Sequence, residues 1–327
     1  MSENTAVQGP EFAVLLGMPV VIRSEAMRQV MQFVQRVAQT TASVLITGES
    51  GAGKELIARA LHQFSLRCNM PWVDVNCGAL PEHLMESELF GYEKGAFSGA
   101  DKMKQGLFDL AHMGTLFLDE IGELDPRMQV KLLRVLDGVP YFRLGGVKKV
   151  SVDARIITAT NQNLEEGIRA GKFRSDLFHR LSQLHIHVPP LRERHEDIGA
   201  LAEFFLHQND PGMRFSPDAL EALGRHGWPG NVRELRNTVM RAAIVASGNE
   251  IRVSDLPAGI NNAPPLKPSM SPTSLDEMER QMIMQVLGQT GGHHAKAAQV
   301  LGISRRTLSR KLKTYGVGDA CEALTAC

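Results

Sequence analysis

A glycine-rich stretch with one lysine carries the clearest chemical signal in the sequence. It reads GESGAGKE, and it lies between an apolar, strand-like run that ends at Thr47 and a helical pattern that begins at Lys54. Glycines let the backbone curl so that successive N–H groups point at phosphate oxygens, which the lysine also reaches. The stretch therefore predicts a phosphate-binding loop. Its residues are Gly48, Glu49, Ser50, Gly51, Ala52, Gly53, Lys54 and Glu55.

Two acids follow a second apolar run, GTLFLDE, which ends in Asp119 and Glu120. The general loop motif has Ser or Thr where this chain has Glu55, so the hydroxyl that usually binds Mg²⁺ is missing. We expect Asp119 to hold Mg²⁺ instead, and Glu120 to orient or deprotonate an attacking water. The alternative is that paired acids only solvate the end of a strand.

Phosphoryl transfer also needs polar groups and positive charge around the outer phosphate. Asn161 follows the apolar run ARIITAT, where it would sense that phosphate or position water. Arg174, Arg180 and Arg233 are candidate phosphate clamps, although each alone is also compatible with a surface ion pair.

The elements that must position these groups follow an alternating pattern. Strands are predicted at 43–47, 72–75, 115–118 and 154–160, with amphipathic helices between them, as in an α/β core with a parallel sheet. From about residue 196 to 256 the strand signals vanish and three helical patterns follow, one of them capped by Ser216 with Pro217 just inside it. This second stretch predicts a small helical bundle.

The C-terminal part is locally basic, although 36 Lys and Arg balance 36 Asp and Glu over the whole chain. Between Arg280 and Gly318 there are seven basic residues and no acid, and a Leu-Gly-Ile-Ser turn joins the last two helical patterns. This layout predicts a helix-turn-helix that reads the major groove, rather than a merely solvated basic helix; a dimeric module would read two half-sites. The residues expected at DNA are Lys296, Ser304, Arg305, Arg306, Thr307, Ser309, Arg310 and Lys313.

Composition bounds the remaining possibilities. The 327 residues are 43% hydrophobic, enough for several domains with buried cores, and they contain neither a long apolar run nor a secretory signal, so we expect a cytoplasmic protein. The four cysteines form no CxxC pair and receive no role. His185 and His187 share one face of a predicted strand, but two ligands do not complete a zinc site.

The chain resembles the bacterial enhancer-binding proteins that activate sigma-54 RNA polymerase, a branch of the AAA+ ATPases. The resemblance covers about residues 20 to 256 and continues in the C-terminal module. The matching motifs are GESGAGKE, ELFGYEKGAFSGA, GTLFLDEIGEL, ATN, FRSDLFHRL, PPLRERHEDI and WPGNVREL. That family also places Glu after the loop lysine, so Glu55 does not count against it.

The resemblance implies an AAA+ P-loop core that binds ATP and Mg²⁺ and assembles into a homo-oligomer, from a dimer up to a hexameric ring. Arg174 and Arg180 would act on a neighbouring subunit, and Arg233 would be the lid sensor. Asn76 would hold Glu120 away from water. The implied organisation is a short N-terminal tail (1–20), an α/β ATPase subdomain (21–192), a helical lid (193–257), a proline-rich linker (258–274), a helix-turn-helix domain (275–318) and a C-terminal tail (319–327).

The hexapeptide Gly95, Ala96, Phe97, Ser98, Gly99 and Ala100 corresponds to the loop that this family extends toward sigma-54. Two glycines permit a mobile turn, and Phe97 is an apolar tip with no obvious core to enter. Ser98 keeps the hydroxyl of the family's usual Thr but loses a methyl group. Alone, the hexapeptide would also fit a glycine-rich hairpin with a half-buried Phe.

The expected function is therefore a transcriptional activator that binds enhancer DNA and uses ATP hydrolysis in a ring to convert the closed sigma-54 polymerase complex into an open one. About 20 residues precede the ATPase segment, so we expect no input domain. Control would then come from a separate regulatory protein, from expression level or from assembly with a partner. The rivals are a repressor or architectural DNA-binding protein, which intact Lys54, Asp119 and Glu120 disfavour, and an AAA+ remodeller of another client, which the hexapeptide disfavours.

Overall fold

The computed structural model describes residues 11–261, 282–283, 286–287, 290 and 293–314. It separates into an N-terminal unit that ends at Pro265 and a C-terminal unit that begins at Leu266. Among the described residues, no helix is both long and apolar enough to cross a membrane.

The strands are β1 (Glu11–Leu15), β2 (Met18–Ile22), β3 (Val44–Thr47), β4 (Trp72–Asn76), β5 (Thr115–Asp119), β6 (Tyr141–Phe142), β7 (Lys149–Val150), β8 (Arg155–Thr160), β9 (Leu184–His187), β10 (Arg214–Phe215) and β11 (Glu250–Ile251). The helices are α1 (Glu25–Ala38), α2 (Lys54–Gln63), α3 (Glu82–Phe90), α4 (Leu107–Leu110), α5 (Pro126–Leu136), α6 (Leu164–Arg169), α7 (Ser175–Leu181), α8 (His195–Asn209), α9 (Pro217–Arg225), α10 (Asn231–Val245), α11 (Ala258–Asn261), α12 (His294–Val300) and α13 (Arg305–Thr314).

A five-stranded parallel sheet in the order β4-β5-β8-β3-β9 forms the centre of the N-terminal unit. Its strands confirm the predicted α/β class. All six residues of β8 are buried, and so are the first four of β5, because helices cover both faces of the sheet. One core cluster joins β3 to α1 and α2, and a second joins β5 to α5 and α7.

The first 20 residues contain structure that the predicted tail did not include. β1 and β2 pair as an antiparallel hairpin, with Leu16 and Gly17 both at positive φ in its two-residue turn. Such a turn matches the twist of the two strands. Leu15 and Val20 are buried in the core, which corrects the prediction of a tail over 1–20.

The lid is a helical bundle, as predicted. Ser216 caps α9 by accepting a hydrogen bond from the Ala219 N–H, and Trp228 is fully buried in the lid core. A short parallel pair, β10 with β11, lies where no strand was expected. The predicted linker over 258–274 starts too early, because Ala258–Asn261 is helical and Ile260 packs in the lid core. Residues 262–274 lie outside the described part of the chain.

The C-terminal unit contains α12 and α13, joined by the predicted turn. Ala297, Leu308 and Leu312 form its buried centre with Ile283. Most of the first predicted helix of this module and the tail over 319–327 fall outside the described residues.

One buried carboxylate joins the lid to the start of α1. Asp197, in the first turn of α8, accepts hydrogen bonds from the backbone N–H groups of Arg23 and Ser24 at 2.7 Å each and from the Ser24 hydroxyl at 2.8 Å. Ser24 is itself the N-cap of α1, and the buried Arg194 guanidinium lies 4.0 Å from Asp197. The Ser24 groups and Arg194 are buried, so they depend on that carboxylate, whereas the Arg23 N–H is only partly buried.

We expect Asp197→Ala to lower the free energy of unfolding by about 3 kcal/mol, because it leaves two buried donors, a partly buried donor and a buried cation without that acceptor. Glu196→Ala is the matched control: Glu196 occupies the same first turn of α8 but is exposed. Its effect should stay within about 0.5 kcal/mol. Denaturant unfolding of the two variants measures the difference, and equal midpoints would contradict the assignment.

Candidate functional site

The phosphate loop connects β3 to α2, as predicted. Gly51 and Gly53 have φ of 74° and 106°, in the left-handed region that side chains rarely adopt. A Cβ at Gly51 would also lie 2.5 Å from the carbonyl oxygen of Gly230 in the lid. The loop therefore needs glycine both for its curl and for close packing against the lid.

Lys54 begins α2 and is buried. Its ammonium donates to the carbonyls of Gly48 at 3.0 Å and Glu49 at 3.3 Å. Burial lowers the pKa of Lys54, and the carboxylates of Glu120 and Asp119 oppose that shift. Both acids are thus close enough to the loop lysine for their charges to stabilise its ammonium form.

Asp119 ends β5, and its Oδ1 accepts the Glu120 N–H at 2.9 Å. Burial raises the pKa of Asp119, and the neighbouring Glu120 charge adds to that rise. Glu120 has a φ of 52°, and this left-handed turn brings its Oε2 to the Asn161 N–H at 3.4 Å. The turn therefore directs the two adjacent carboxylates differently.

The structure brings Asn76 to Asp119 rather than to Glu120. The two residues are opposite each other in β4 and β5, and the Asn76 amide donates to Asp119 Oδ2 at 3.5 Å. Its own oxygen accepts the N–H groups of Gly78 and Ala79. The Glu120 carboxylate itself accepts the Asn161 N–H, so a contact of Asn76 with Glu120, which the family resemblance implies, stays a prediction.

A cleft of about 580 Å³ lies between the phosphate loop and the lid. Lys54, Asp119, Glu120 and Arg233 line it together. The Arg233 guanidinium donates to the Ser50 hydroxyl at 2.9 Å, so this predicted lid residue does reach the loop. An apolar wall completes the cleft, comprising Met18, Val20, Leu201, Phe204, Phe205 and Met240.

Arg174 and Arg180 do not line that cleft. Arg174 precedes α7 and forms an ion pair with Asp176 at 2.7 Å. Arg180 lies on α7 and donates to the Leu136 carbonyl at 2.7 Å, close to Asp137. Both guanidinium groups are substantially exposed, at 47% and 42% of the side chain.

The hexapeptide forms a compact loop. The Gly95 N–H donates to the Ala100 carbonyl at 2.8 Å, and both Gly95 and Gly99 have positive φ. Phe97 is 46% exposed, and its ring packs edge-to-face on Tyr92 at 4.9 Å between centroids. The expected unpacked tip is thus half-buried against a neighbouring aromatic ring.

The base of this loop rests on the β6–β7 hairpin. Arg143 pairs with Asp109 at 3.1 Å and with Glu93 at 3.2 Å. A Cβ at Gly145, whose φ is 70°, would lie 2.9 Å from Ala96. The motif search missed this support because the hairpin strands are only two residues long.

In the C-terminal unit, Ser304 caps α13, with its hydroxyl accepting the Thr307 N–H at 3.1 Å. Thr307 and Ser309 are partly exposed, whereas Leu308 and Leu312 are buried. One face of α13 thus packs inward while another presents predicted DNA contacts. Among the described residues of the unit, the exposed Lys and Arg side chains are those of Lys296, Arg305, Arg306 and Arg310. The side chain of Lys313 lies outside the described residues.

Sequence reasoning missed the residues that hold the loop against the lid. Asn231, at the start of α10, donates to Glu49 Oε2 at 3.0 Å and to the Ser50 carbonyl at 3.1 Å. Arg192 pairs with Glu49 through both of its terminal nitrogens. Both residues lie inside motifs of the family resemblance, WPGNVREL and PPLRERHEDI, but the motifs alone did not indicate contact with the loop acid Glu49.

Three family models match consecutive parts of the chain. The sigma-54 interaction domain matches residues 20–187, the AAA+ ATPase lid domain matches residues 192–272, and the Fis family of bacterial regulatory proteins matches residues 274–315.

Individual relatives agree. Regulatory protein AtoC of Escherichia coli strain K12 is 45% identical in an alignment of 315 positions that covers 92% of this chain and 68% of AtoC. The regulator NtrC of Salmonella typhimurium is 43% identical in an alignment of 345 positions, gaps included, that covers 96% of this chain and 72% of NtrC. Brucella abortus NtrX, solved in complex with ATP, superposes with a TM-score of 0.68 at 41% identity, covering 91% of this chain and 69% of NtrX.

The matched interaction domain spans the phosphate loop, both acids and the hexapeptide, and the matched Fis-type model spans the capped basic helix. The chain therefore belongs to the sigma-54-dependent transcriptional activators, AAA+ ATPases that carry a helix-turn-helix DNA-binding domain.

Proposed function

We propose that the cleft binds ATP with Mg²⁺, that hydrolysis requires a ring of subunits, and that the hexapeptide loop transmits its energy to sigma-54. One observation carries this proposal: Lys54, Asp119, Glu120 and Arg233 share the cleft, whereas Arg174 and Arg180 lie outside it with exposed guanidinium groups. Each subunit thus holds the binding and acid–base groups of one site, and would supply positive charge to another.

The loop N–H groups, the N-terminus of α2 and Lys54 would hold the phosphates. The apolar wall of the cleft would accept the base, and Arg233 would close over the phosphates from the lid. NtrX of Brucella abortus, solved with ATP and also with ADP, supports this choice of nucleotide.

Asp119 is the residue that would hold Mg²⁺. The described residues contain no cluster of three or more metal-ligating side chains. Mg²⁺ usually takes one or two carboxylates together with phosphate oxygens and water, so a single carboxylate facing the phosphate loop fits this ion. When bound, Mg²⁺ would neutralise charge on the phosphates.

Glu120 would accept the proton of the attacking water. Its left-handed backbone brings the carboxylate to the Asn161 N–H, a contact that Asp119 does not make, so we give the two acids separate tasks. Asn161, at the end of β8, would position the water or sense the outer phosphate. Asn76 would act through Asp119, which it contacts directly.

Trans action can be tested by mixing inactive subunits. A Glu120→Gln subunit lacks the base but keeps its arginines, whereas an Arg174→Ala, Arg180→Ala subunit has the reverse defect. In a mixed ring, about a quarter of the sites would combine an intact base with an intact neighbour's arginine, so phosphate release should recover to roughly that fraction of wild type.

The matched control mixes the arginine variant with a subunit that carries all three substitutions, and it should show no recovery. Analytical ultracentrifugation establishes ring formation in each mixture. Mixed rings without any ATPase activity would contradict the trans arrangement.

The hexapeptide loop would contact sigma-54 through Phe97. Its ring is accessible yet held by Tyr92, and the loop base is fixed by the Arg143 ion pairs. A supported aromatic side chain can transmit force where a free one would only fold back.

We expect Phe97→Ala to retain ATPase activity but to lose open-complex formation, because each contact loses the burial of a large apolar side chain, worth about 2 kcal/mol. Permanganate footprinting of a sigma-54 promoter measures melting. Ile244→Ala is the control, since Ile244 is 84% exposed on the lid. Normal melting by the Phe97 variant would contradict the role given to this loop.

The basic residues of α13 would bind the upstream DNA. Leu308 and Leu312 anchor the helix, and Arg305 and Arg306 are exposed in its first turn. Arginines placed there would reach phosphates or base edges in the major groove.

If Arg306 contacts a phosphate, Arg306→Ala should weaken DNA binding and reduce the slope of log K against log salt by about 0.9. Fluorescence anisotropy over a salt series, with genomic fragments that the protein retains, gives the slope. Arg169→Ala is the control, because Arg169 is an exposed arginine on α6 in the other unit. An unchanged affinity and slope would remove Arg306 from the interface.

A further inference from the structure

The carbonyl groups of the phosphate loop are divided between two sets of donors. Lys54 serves the first two, at Gly48 and Glu49. The next three accept hydrogen bonds from the lid side. The Ser50 carbonyl accepts from the Asn231 amide, the Gly51 carbonyl from the Val232 N–H, and the Ala52 carbonyl from the Arg194 guanidinium. The shape of the loop therefore depends on residues about 140 to 180 positions later in the chain.

Asn231 makes the central contacts. It is fully buried with a φ of 54°, a conformation that asparagine tolerates better than most residues. Its oxygen accepts the Leu191 N–H at 2.7 Å, while its amide donates to both the Glu49 carboxylate and the Ser50 carbonyl. Only a side chain with both a donor and an acceptor can make this set of contacts.

Glu49 completes the junction from the loop side. Hydrogen bonds from Arg192, and next from Asn231, lower its pKa to about 2. The Arg192–Glu49 pair is about two-fifths exposed, so solvent screens it and it contributes little stability. The pair instead fixes the direction of the carboxylate that the buried Asn231 amide meets.

The phosphate loop packs closely against the start of α10. A Cβ at Gly51 would lie 2.5 Å from the Gly230 carbonyl and 3.1 Å from the Arg233 Cβ. The residue that touches Ser50 through its guanidinium, Arg233, follows Asn231 by two positions on α10. Any displacement of the start of α10 would therefore move Arg233 and the loop carbonyl contacts together.

We propose that Asn231 and Glu49 are positioning residues that latch the phosphate loop to the lid, so that the loop is organised for nucleotide only when the lid is docked. Glu49 acts through Asn231 and not through the nucleotide. The inference rests on the proposed ATP site and adds a coupling to it: lid position and ATP affinity are thermodynamically linked.

The test is the steady-state ATPase of the full chain, at protein concentrations where rings are present. Asn231→Asp places a carboxylate against the Glu49 carboxylate and the Ser50 carbonyl, and should raise KM for ATP about tenfold or more. Its kcat should fall much less than its KM rises, because Lys54, Asp119 and Glu120 are untouched. Asn231→Gly keeps the left-handed backbone but removes the whole side chain, both the donor to Glu49 and Ser50 and the acceptor for the Leu191 N–H, so it should raise KM in the same direction.

Conservative rescue identifies the contact. Adding Glu49→Gln to Asn231→Asp restores a donor opposite the new carboxylate, and KM should return most of the way to the wild-type value. Asn209→Asp is the matched control, since the Asn209 amide also donates to a backbone carbonyl, that of Phe205, but within the lid. It should leave KM unchanged.

A merely structural role predicts a lower melting temperature of the nucleotide-free protein with wild-type KM in the folded molecules, and that result would overturn the latch. So would an elevated KM that Glu49→Gln does not restore. Lys54→Ala distinguishes a wrong ATP site from a wrong latch. If it hydrolyses ATP normally, the ATP site itself is misplaced, whereas an inactive Lys54 variant beside latch variants of wild-type KM defeats the latch alone.

Discussion

The parallel register of β3, β5 and β8 is the constraint on which the rest of this structure depends. Because the three strands run in one direction and are hydrogen-bonded neighbours, Thr47, Asp119 and Thr160 all end at one edge of the sheet. The residues that follow each end are the phosphate loop, Glu120 and Asn161. Continuous burial of β5 and β8 sets this register, because a polar residue shifted into their interior would lose its water without gaining a partner.

The lid forms the second side of the nucleotide cleft, which the sheet alone does not provide. The lid supplies Arg233 and the donors to the loop carbonyls, and Asp197 fixes α8 to the start of α1. The lid is thus attached at two places: at the nucleotide cleft, and at Arg23 and Ser24, which follow the β1–β2 hairpin. Because the nucleotide cleft lies at the junction of the α/β core and the lid, a ligand bound there contacts both and can change how they pack together.

Sequence reasoning succeeded where chemistry is local and failed where contacts span the chain. The phosphate loop, the acids after β5 and the capped helix α13 were predictable, because short motifs beside periodic elements determine them. The partner of Asn76 depends on strand register, and the Asn231 contact with Glu49 joins residues 182 positions apart. The hairpin over residues 11–22 was missed because its strands are short and its turn, Leu16-Gly17, is not a common hairpin signal.

The two adjacent glycines of the β6–β7 hairpin leave the space in which the hexapeptide loop packs, because they have no side chains. Gly145 leaves room for Ala96, and Gly146 leaves room for Glu93, whose Cγ would lie 3.0 Å from an added Cβ. The surface that the hexapeptide presents is therefore shaped by the absence of side chains some 50 residues later in the chain. An added methyl group at either glycine would displace the hexapeptide loop without changing any residue of the loop itself, so the shape of the loop depends on the hairpin as well as on the hexapeptide.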